Sequence, residues 1–311
     1  MEKKVRVAAV VVTYNRAQML LECLDALLCQ DLPLGKIYIV DNASTDDTVQ
    51  RLTESGYLIN SIIYYVRLTK NTGGAGGFTH GLKLACQDGW DWVWLMDDDA
   101  QPALDCLGKL ADGLQQLTAN ADEAFCICPR VMNYFSRDQE WHQHKRLTPY
   151  FMDVPVFDLP QRFIRIDGNA FVGPLVSRGS ITKIGLPNTE YFLWVDDLDF
   201  TYRVARHGRL VLDRDSTIWH KDHNPGQPGP DKCYYWVRNY LWFLLHTVRK
   251  NEGLKGIAWL RWSVAIVIVM RRSLRMTRSF LPNRNLKLST RLLPLRALLH
   301  SVMYITGKSP Q

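Results

Sequence analysis

The first hundred residues alternate between short, continuous apolar runs and stretches with helical spacing. Apolar runs without polar alternation are typical of strands buried on both faces of a sheet. Four such runs predict strands: Val5–Val12, Lys36–Val40, Ile62–Val66 and Trp90–Met96. The regular strand–helix alternation predicts an α/β fold with a mainly parallel sheet and flanking helices.

Polar residues follow three of these strands directly. They are Thr13–Arg16 after the first strand, Asp41–Asn42 after the second, and Asp97–Asp99 after the fourth. In open α/β sheets, ligands bind outside the carboxyl ends of the strands. The pattern therefore predicts a ligand site along one rim of the sheet.

The triplet Asp97-Asp98-Asp99 is the strongest chemical signal in the chain. Three adjacent like charges at the end of a buried strand are costly unless a cation or hydrogen bonds compensate them. Mg²⁺ and Mn²⁺ prefer oxygen ligands of this kind, often together with substrate phosphates. The alternative is a solvated acidic turn. Because the triplet follows Trp-Val-Trp-Leu-Met, we interpret it as a metal site.

A glycine-rich stretch, Asn71–Phe78, follows the third strand. A dinucleotide fingerprint would need G-x-G-x-x-G after the first strand, but here Thr79 takes the final glycine position. We therefore reject that interpretation. The glycines instead predict a loop whose backbone comes close to a phosphate-sugar ligand.

The second half of the chain contains another acidic cluster, Asp196-Asp197-Leu198-Asp199, before a helix that Gly208 should end. A cluster in this place can be a helix cap alone. His142 and His144 would share one face if they lay on a strand. Two histidines without further ligands more often belong to a polar loop, so we give them no metal role.

Net charge is unevenly distributed and changes the expected partners. From Arg249 onward, 13 Lys and Arg stand against one acidic residue, Glu252, which gives +12, whereas the preceding residues carry −5. A basic tail suggests an anionic membrane surface or nucleic acid. No nucleic-acid recognition motif accompanies it, so no nucleic-acid partner is expected.

The cysteines and the N-terminus bear on localisation. Seven cysteines without a CxxC pair fit reduced thiols, and the N-terminus runs straight into a strand, with no signal-peptide pattern. We expect a cytoplasmic protein that is peripheral on the inner face of the membrane.

Taken together, the motifs resemble the family 2 inverting glycosyltransferases, which have a GT-A (Rossmann-like) fold. The resemblance spans about residues 5 to 220. It is carried by these stretches: Val12–Arg16, Val40–Asp46, Asn71–Gly74, Asp97–Asp99 and Asp196–Asp199. Within the family, the chain is similar to galactofuranosyltransferases and related rhamnosyltransferases. Asn71–Phe78, Trp194–Asp197, and Trp219–Asp222 followed by Tyr235–Asn239 favour that subgroup.

The resemblance implies a role for each matching residue. Nucleotide-sugar binding falls to Thr13, Tyr14, Arg16, Asp41, Asn71, Gly74, Gly76 and Asp98, with Asp41 accepting from the base. Asp97, Asp99 and His220 would hold Mn²⁺ or Mg²⁺, with His223 as a nearby alternative to His220. Asp197 matches the general base, and Trp194 and Asp196 would bind the acceptor.

These roles predict a sugar transfer from a nucleotide sugar to a glycan or lipid-linked acceptor in cell-surface polysaccharide (O-antigen) biosynthesis. UDP-galactofuranose is the first donor hypothesis, and a rhamnosyltransferase that uses a dTDP-sugar is the alternative. A catalytically inactive nucleotide-sugar-binding scaffold is the alternative of another class, but the intact acidic and histidine positions argue against it. A pyrophosphorylase would need a basic glycine-rich loop near the first strand, where Thr13–Arg16 lies.

Residues 1–233 are expected to form the catalytic domain, and residues 234–311 a basic helical C-terminal region. Ser263–Met270 is too short to span a membrane, which needs about 20 apolar residues. A leucine stripe from Leu288 to Val302, which Pro294 would interrupt, predicts contact with an anionic membrane surface. The alternatives are a helical cap on the catalytic domain and a homo-oligomer contact.

Overall fold

The computed structural model describes residues 5–156, 159–221, 229–282 and 286–305. Its strands are β1 Val7–Thr13, β2 Lys36–Asp41, β3 Ile63–Arg67, β4 Trp92–Asp97, β5 Ala100–Pro102, β6 Phe125–Asn133, β7 His144–Leu147, β8 Asp153–Pro155, β9 Phe163–Arg165, β10 Gly168–Asn169, β11 Leu175–Ser177 and β12 Arg209–His220. Each of the four strands expected from the apolar runs lies within two residues of its predicted bounds.

The helices flank this sheet and fill the C-terminal region. They are α1 Ala17–Leu28, α2 Thr48–Glu54, α3 Gly73–Gln87, α4 Cys106–Gln116, α5 Arg178–Ile184, α6 Asp196–His207, α7 Pro230–Trp242, α8 Arg249–Glu252, α9 Ile257–Phe280, α10 Leu288–Arg291 and α11 Leu293–Ile305. A π-helical segment, Phe243–Val248, joins α7 to α8. Single 3₁₀ turns occupy Tyr57–Ile59, Trp141–Gln143 and Thr189–Tyr191.

One large mixed sheet forms the centre, in the order β3-β2-β1-β4-β11-β6-β12-β5, with β9 paired to β12. Strands β3, β2, β1 and β4 are mutually parallel, and β11 then enters antiparallel to β4. Thr13 pairs with Asp41, and Val12 pairs with Asp97. Because these ends are in register, the polar residues of β1, β2 and β4 lie on one rim, which confirms the predicted α/β fold.

The sheet is buried on both faces, which explains why its central strands are continuously apolar. Along β1, Ala9 and Val11 pack with α1 and α4 on one face, whereas Ala8, Val10 and Val12 pack with α3 and α6 on the other.

The glycine run is helical and is not the predicted loop: α3 begins at Gly73. A Cβ on Gly77 would lie 2.5 Å from Val12 Cγ1, and one on Gly81 would lie 2.2 Å from Val10 Cγ1. These glycines therefore let α3 pack closely against β1. The predicted loop was wrong, because close packing of a helix on a sheet also selects glycine. The approach of this backbone to a ligand stays a prediction.

The histidine pair is also different from the expectation. His144 lies on β7 and is fully buried, with Nδ1 2.6 Å from Asn169 Oδ1, and Nε2 accepts the Val131 N–H at 3.4 Å. Burial lowers the pKa of His144 to about 4. It is therefore a neutral core residue, whereas His142 lies on the exposed turn before β7.

The C-terminal helices share a hydrophobic core with α6. Tyr191, Leu198 and Tyr202 pack in one cluster with residues of α7, the π-helical segment, α9 and α11. The predicted division after residue 233 falls within α7, and the domain assignment stays a prediction. Within the described residues, no helix is long and apolar enough to cross a membrane.

Candidate active site

A first cleft opens at the rim where β1, β2 and β4 end. Its walls come from the strand ends, from the start of α3 and from the segment before α6. The lining residues are Val12, Thr13, Tyr14, Arg16, Asn42, Asn71, Gly73, Gly74, Asp97, Asp98, Phe192 and Leu193. We name this cleft and the one beside it after the roles that the sequence analysis predicts for their residues, and we call this one the donor cleft.

The acidic triplet is held by side chains from the first strand and its exit. Thr13 Oγ1 donates to Asp98 Oδ2 at 2.8 Å, and Arg16 Nη1 bridges Asp98 Oδ1 at 3.1 Å and Asp99 Oδ2 at 2.6 Å. Burial raises the pKa of Asp98 to about 6, although Arg16 opposes the shift. Burial and the charges of Asp99 and Asp98 raise the pKa of Asp97 well above its ordinary value. The site is therefore short of positive charge.

A second cleft adjoins the first, and Arg16 lines both. Four of the residues with predicted roles line it: Asp99, His220, Trp194 and Asp197. The other lining residues are His142, Gln143, Lys145, Asp153, Ala170, Val195, Leu198, Lys232, Trp236 and Tyr240. We call this the acceptor cleft. The triplet is thus divided, with Asp97 and Asp98 in the donor cleft and Asp99 in the acceptor cleft.

His220 is oriented by a carboxylate that the sequence analysis did not identify. Glu140 Oε2 lies 2.7 Å from His220 Nδ1, while His220 Nε2 lies 3.5 Å from Asp99 Oδ1. Burial alone would lower the pKa of His220, but Glu140 and Asp99 outweigh it and raise that pKa to about 9. Burial alone would likewise raise the pKa of Glu140. Its hydrogen bonds, led by the one from His220, instead lower it to about 2.

Asp99 and His220 fit a divalent cation. Asp99 Oδ1 is buried without a hydrogen-bond partner and faces His220 Nε2, and a buried orphan oxygen calls for a compensating group. A metal-binding histidine usually donates one ring N–H to a carboxylate and binds the metal through the other nitrogen. Glu140 and Asp99 lie on these two sides of the His220 ring. Among the residues that the structure describes, however, no three His, Cys, Asp or Glu side chains form a closed metal cluster. His223 lies outside the described residues.

The remaining predicted residues differ in how near they lie to these clefts. Tyr14, Asn71 and Gly74 line the donor cleft, whereas Gly76 lies behind Thr72 and lines a neighbouring groove. Asp41 is fully buried behind the rim, where it accepts from Ser44 N at 2.7 Å and Tyr65 Oη at 2.6 Å. Their ligand contacts stay predictions.

The second acidic pair occupies two different environments. Asp197 is partly exposed and lines the acceptor cleft, and its Oδ1 accepts the Leu198 N–H at 2.7 Å. Asp196 is buried, with Oδ2 directed towards the start of α3 near Gly74. Burial and the neighbouring Asp197 charge raise the pKa of Asp196 well above its ordinary value. Asp197 is therefore the carboxylate of this pair that an acceptor can reach.

The sheet is mainly parallel and carries an acidic triplet at one strand end, and a separate carboxylate, Asp197, lines the adjoining cleft. This arrangement is that of a GT-A fold of the glycosyltransferase class. The family model "Glycosyl transferase family 2" matches residues 8–173. The chain belongs to this family, as its motifs predicted.

Known proteins support the same assignment. The chain is 30% identical over 212 residues to galactofuranosyltransferase GlfT1 of Mycolicibacterium smegmatis, covering 65% of this chain and 66% of that protein. The match thus spans just under two thirds of that relative's length. Among solved structures, GalNAc-T7 with UDP, GalNAc and Mn²⁺ gives a TM-score of 0.62 at 15% identity, over 86% of this chain and 58% of that one. S. aureus TarS (residues 1–349) with UDP gives 0.61 at 16% identity, over 96% and 81%. These structures confirm the fold.

Proposed function

We propose that the chain is an inverting, metal-dependent glycosyltransferase that moves galactofuranose from UDP-galactofuranose to a glycan or lipid-linked acceptor in cell-surface polysaccharide assembly. The observation that carries the proposal is that two clefts meet at Arg16, with Asp97 and Asp98 lining one and Asp99 lining the other together with Asp197. The choice of galactofuranose is supported by the identity to GlfT1.

Donor binding follows from the chemistry of the first cleft. The N-terminus of α3 opens on it at Gly73 and Gly74, and the positive end of a helix dipole favours a diphosphate. Thr13, Tyr14 and Asn71 supply polar contacts for the rest of the nucleotide sugar. The UDP in both related structures fits a donor of this class.

Asp97, Asp99 and His220 would hold Mn²⁺ or Mg²⁺, as the Mn²⁺ in GalNAc-T7 also suggests. When bound, the ion neutralises charge that develops on the departing diphosphate. Arg16, which already contacts Asp98 and Asp99, contributes a second fixed positive charge at the same edge. Glu140 keeps His220 turned towards Asp99.

Acceptor activation falls to Asp197. A sugar hydroxyl is a weak nucleophile until a carboxylate within about 3 Å takes its proton. Asp197 lines the same cleft as Asp99, and Trp194, which also lines it, offers an apolar platform for the acceptor. Attack on the face opposite the leaving diphosphate inverts the anomeric centre. Asp196 would support the acceptor side from behind.

The lipid-linked acceptor would be reached from an anionic membrane surface. The Leu288–Val302 segment is divided between α10 and α11, with Pro294 near the start of α11. A longer apolar face than that of Leu288–Val302 lies on α9, and it is exposed in the described part of the chain. Its exposed residues are Ile257, Trp259, Leu260, Val264, Val267, Met270 and Leu274.

Charge complementarity favours a bilayer over a second copy of the chain as the occupant of this face. Five exposed arginines accompany it on α9: Arg261, Arg271, Arg272, Arg275 and Arg278. An equally basic partner would be repelled. Helix α9 packs on α7, whose Trp236 and Tyr240 line the acceptor cleft. Docking through α9 would bring that cleft close to the membrane on its cytoplasmic side.

A donor panel tests the proposal. The Mn²⁺-loaded full chain is offered UDP-galactofuranose, dTDP-rhamnose or UDP-galactopyranose, and both donor hydrolysis and transfer to a lipid-tailed acceptor are measured. We expect UDP-galactofuranose to be preferred in both assays. Preference for dTDP-rhamnose would overturn the donor assignment, and consumption of none of these donors by folded protein would overturn this enzymatic function.

A further inference from the structure

The segment that leads into α6 has an unusual backbone. Phe192 has φ 63° and ψ −62°, Trp194 has φ 67°, and Val195 has φ 69°. Non-glycine residues rarely adopt positive φ, least of all β-branched ones such as Val195. Leu193 N donates to Tyr191 O at 2.7 Å across Phe192, which is a γ-turn of the strained, positive-φ type. Such a conformation persists only where the surroundings hold it.

One buried amide on α7 holds most of this segment. Asn239 is fully buried, and its Nδ2 donates to three main-chain carbonyls: Tyr191 O at 2.9 Å, Leu193 O at 2.7 Å and Trp194 O at 2.8 Å. Three acceptors around one nitrogen fix which way the amide points. Its Oδ1 accepts from Arg238 Nε at 2.7 Å, so both ends of the amide are engaged.

Two further contacts hold the same segment from either side. Arg238 Nη2 donates to Glu190 O at 2.9 Å and Tyr191 O at 2.7 Å. From α3, Ala75 N donates to Phe192 O at 3.3 Å, and a Cβ on Gly73 would lie only 1.9 Å from that oxygen. The segment is therefore fixed between α3 and α7.

The segment from Tyr191 to Val195 connects α7 to both clefts. Phe192 and Leu193 line the donor cleft, whereas Trp194 and Asp197 line the acceptor cleft. The three carbonyls that Asn239 binds lie directly before the helix turn that carries Asp197. Without the Asn239 donor, Leu193 O and Trp194 O would lose the hydrogen bonds that hold them, although Tyr191 O would keep its bond from Arg238. The γ-turn would then relax to ordinary φ values, which would displace Trp194 and Asp197.

We propose that Asn239 is a positioning residue for sugar transfer, which fixes the strained Tyr191–Val195 segment so that Trp194 and Asp197 face the acceptor. The proposal rests on the proposed function, because it assigns Asp197 to the acceptor step. Asn239 itself lies outside the residues that line either cleft.

The test uses the full chain with Asn239→Asp, which keeps the side chain's shape but replaces the NH₂ donor by an acceptor. A displacement of about 1 Å at a reacting group can cost on the order of 10²-fold in rate. We therefore expect kcat for transfer to fall by roughly 10–100-fold, with UDP affinity changed much less. Hydrogen exchange should rise in residues 189–199 and stay unchanged in β1 and β4.

Asn251→Asp is the matched control, because Asn251 also donates to a carbonyl, Thr247 O at 2.6 Å, beyond the clefts. We expect it to keep wild-type transfer.

If Asn239→Asp does not fold, Asn239→Ser, which retains one donor, should show a smaller loss of the same kind. Wild-type transfer by either folded Asn239 variant would overturn the proposal. So would parallel loss of transfer and UDP binding with a general rise in exchange. If the wild-type chain transfers no sugar, the proposed function fails, while the exchange comparison still tests the contact.

Discussion

The donor and acceptor sides of the site are built in different ways. On the donor side, Thr13 and Asp97 stand at the ends of β1 and β4, and the register of parallel strands fixes their positions. On the acceptor side, Trp194 belongs to a strained segment that is held by side chains of α7, and Asp197 follows that segment. The first side depends on backbone pairing within the sheet, and the second on contacts between distant parts of the chain.

This difference predicts how the two sides respond to change. The donor rim should tolerate alterations of the C-terminal helices, because the sheet contains its own framework. The acceptor side should not, because the cluster that includes Tyr191 and Leu198 is completed by α7, α9 and α11. A substitution can therefore be designed to disturb one side and spare the other.

The largest effect is expected at the predicted metal-binding edge, which includes Asp99 and His220. Asp99→Asn should abolish transfer, and EDTA should do so reversibly in the wild type, because the departing diphosphate loses its counter-charge. Transfer rates with added Mn²⁺ measure both effects. Asp47→Asn, at an exposed helix start without a side-chain capping bond, is the control and should remain active. Full activity in EDTA after exhaustive dialysis would contradict the metal assignment.

Glu140 offers a smaller change on the same edge. Glu140→Gln keeps the size but weakens the bond to His220 Nδ1, so Mn²⁺ affinity should fall by about 10–100-fold. Mn²⁺ binding followed by electron paramagnetic resonance measures this directly, without reliance on activity. Glu123→Gln, at an exposed glutamate, is the control. Unchanged Mn²⁺ affinity in Glu140→Gln would show that Glu140 does not support the metal site.

The smallest effect is expected at the membrane face. Replacing Leu260 and Val267 together by Gln removes apolar insertion, so cosedimentation with anionic liposomes should fall several-fold, while the arginines of α9 keep a salt-sensitive remainder. Ile59→Gln removes an exposed apolar side chain from another surface and should bind liposomes like the wild type. If the wild type ignores liposomes and α9 mediates a dimer, the face is an oligomer contact.

The sequence predicted the donor side well because its determinants are local. A continuous apolar run followed by carboxylates places Asp97–Asp99 at a strand end, and parallel strands bring such ends together. The family resemblance, and not this local pattern, predicted the roles of Asp197 and His220 and placed His220 with Asp99. It did not foresee that Asp197 would line the same cleft as Asp99 and His220.

The residues that were missed act through distant contacts. Glu140 meets His220 across 80 positions of sequence, and Asn239 meets the segment before α6 across 45 to 48 positions. Neither spacing follows a helical or strand period. In the sequence, arginines interrupt the apolar residues of α9. The sequence analysis therefore concluded only that the run Ser263–Met270 is too short to span a membrane, and it did not predict the exposed face.

The central claim is that Asp197 serves transfer and the triplet serves the donor. Asp197→Asn keeps the side chain's size but cannot accept the acceptor's proton. We expect its single-turnover transfer rate to fall by about 10²–10⁴-fold. Its affinity for the UDP-sugar, measured by calorimetry with Mn²⁺, should stay near that of the wild type. Loss of donor affinity with turnover retained would contradict the division of the site.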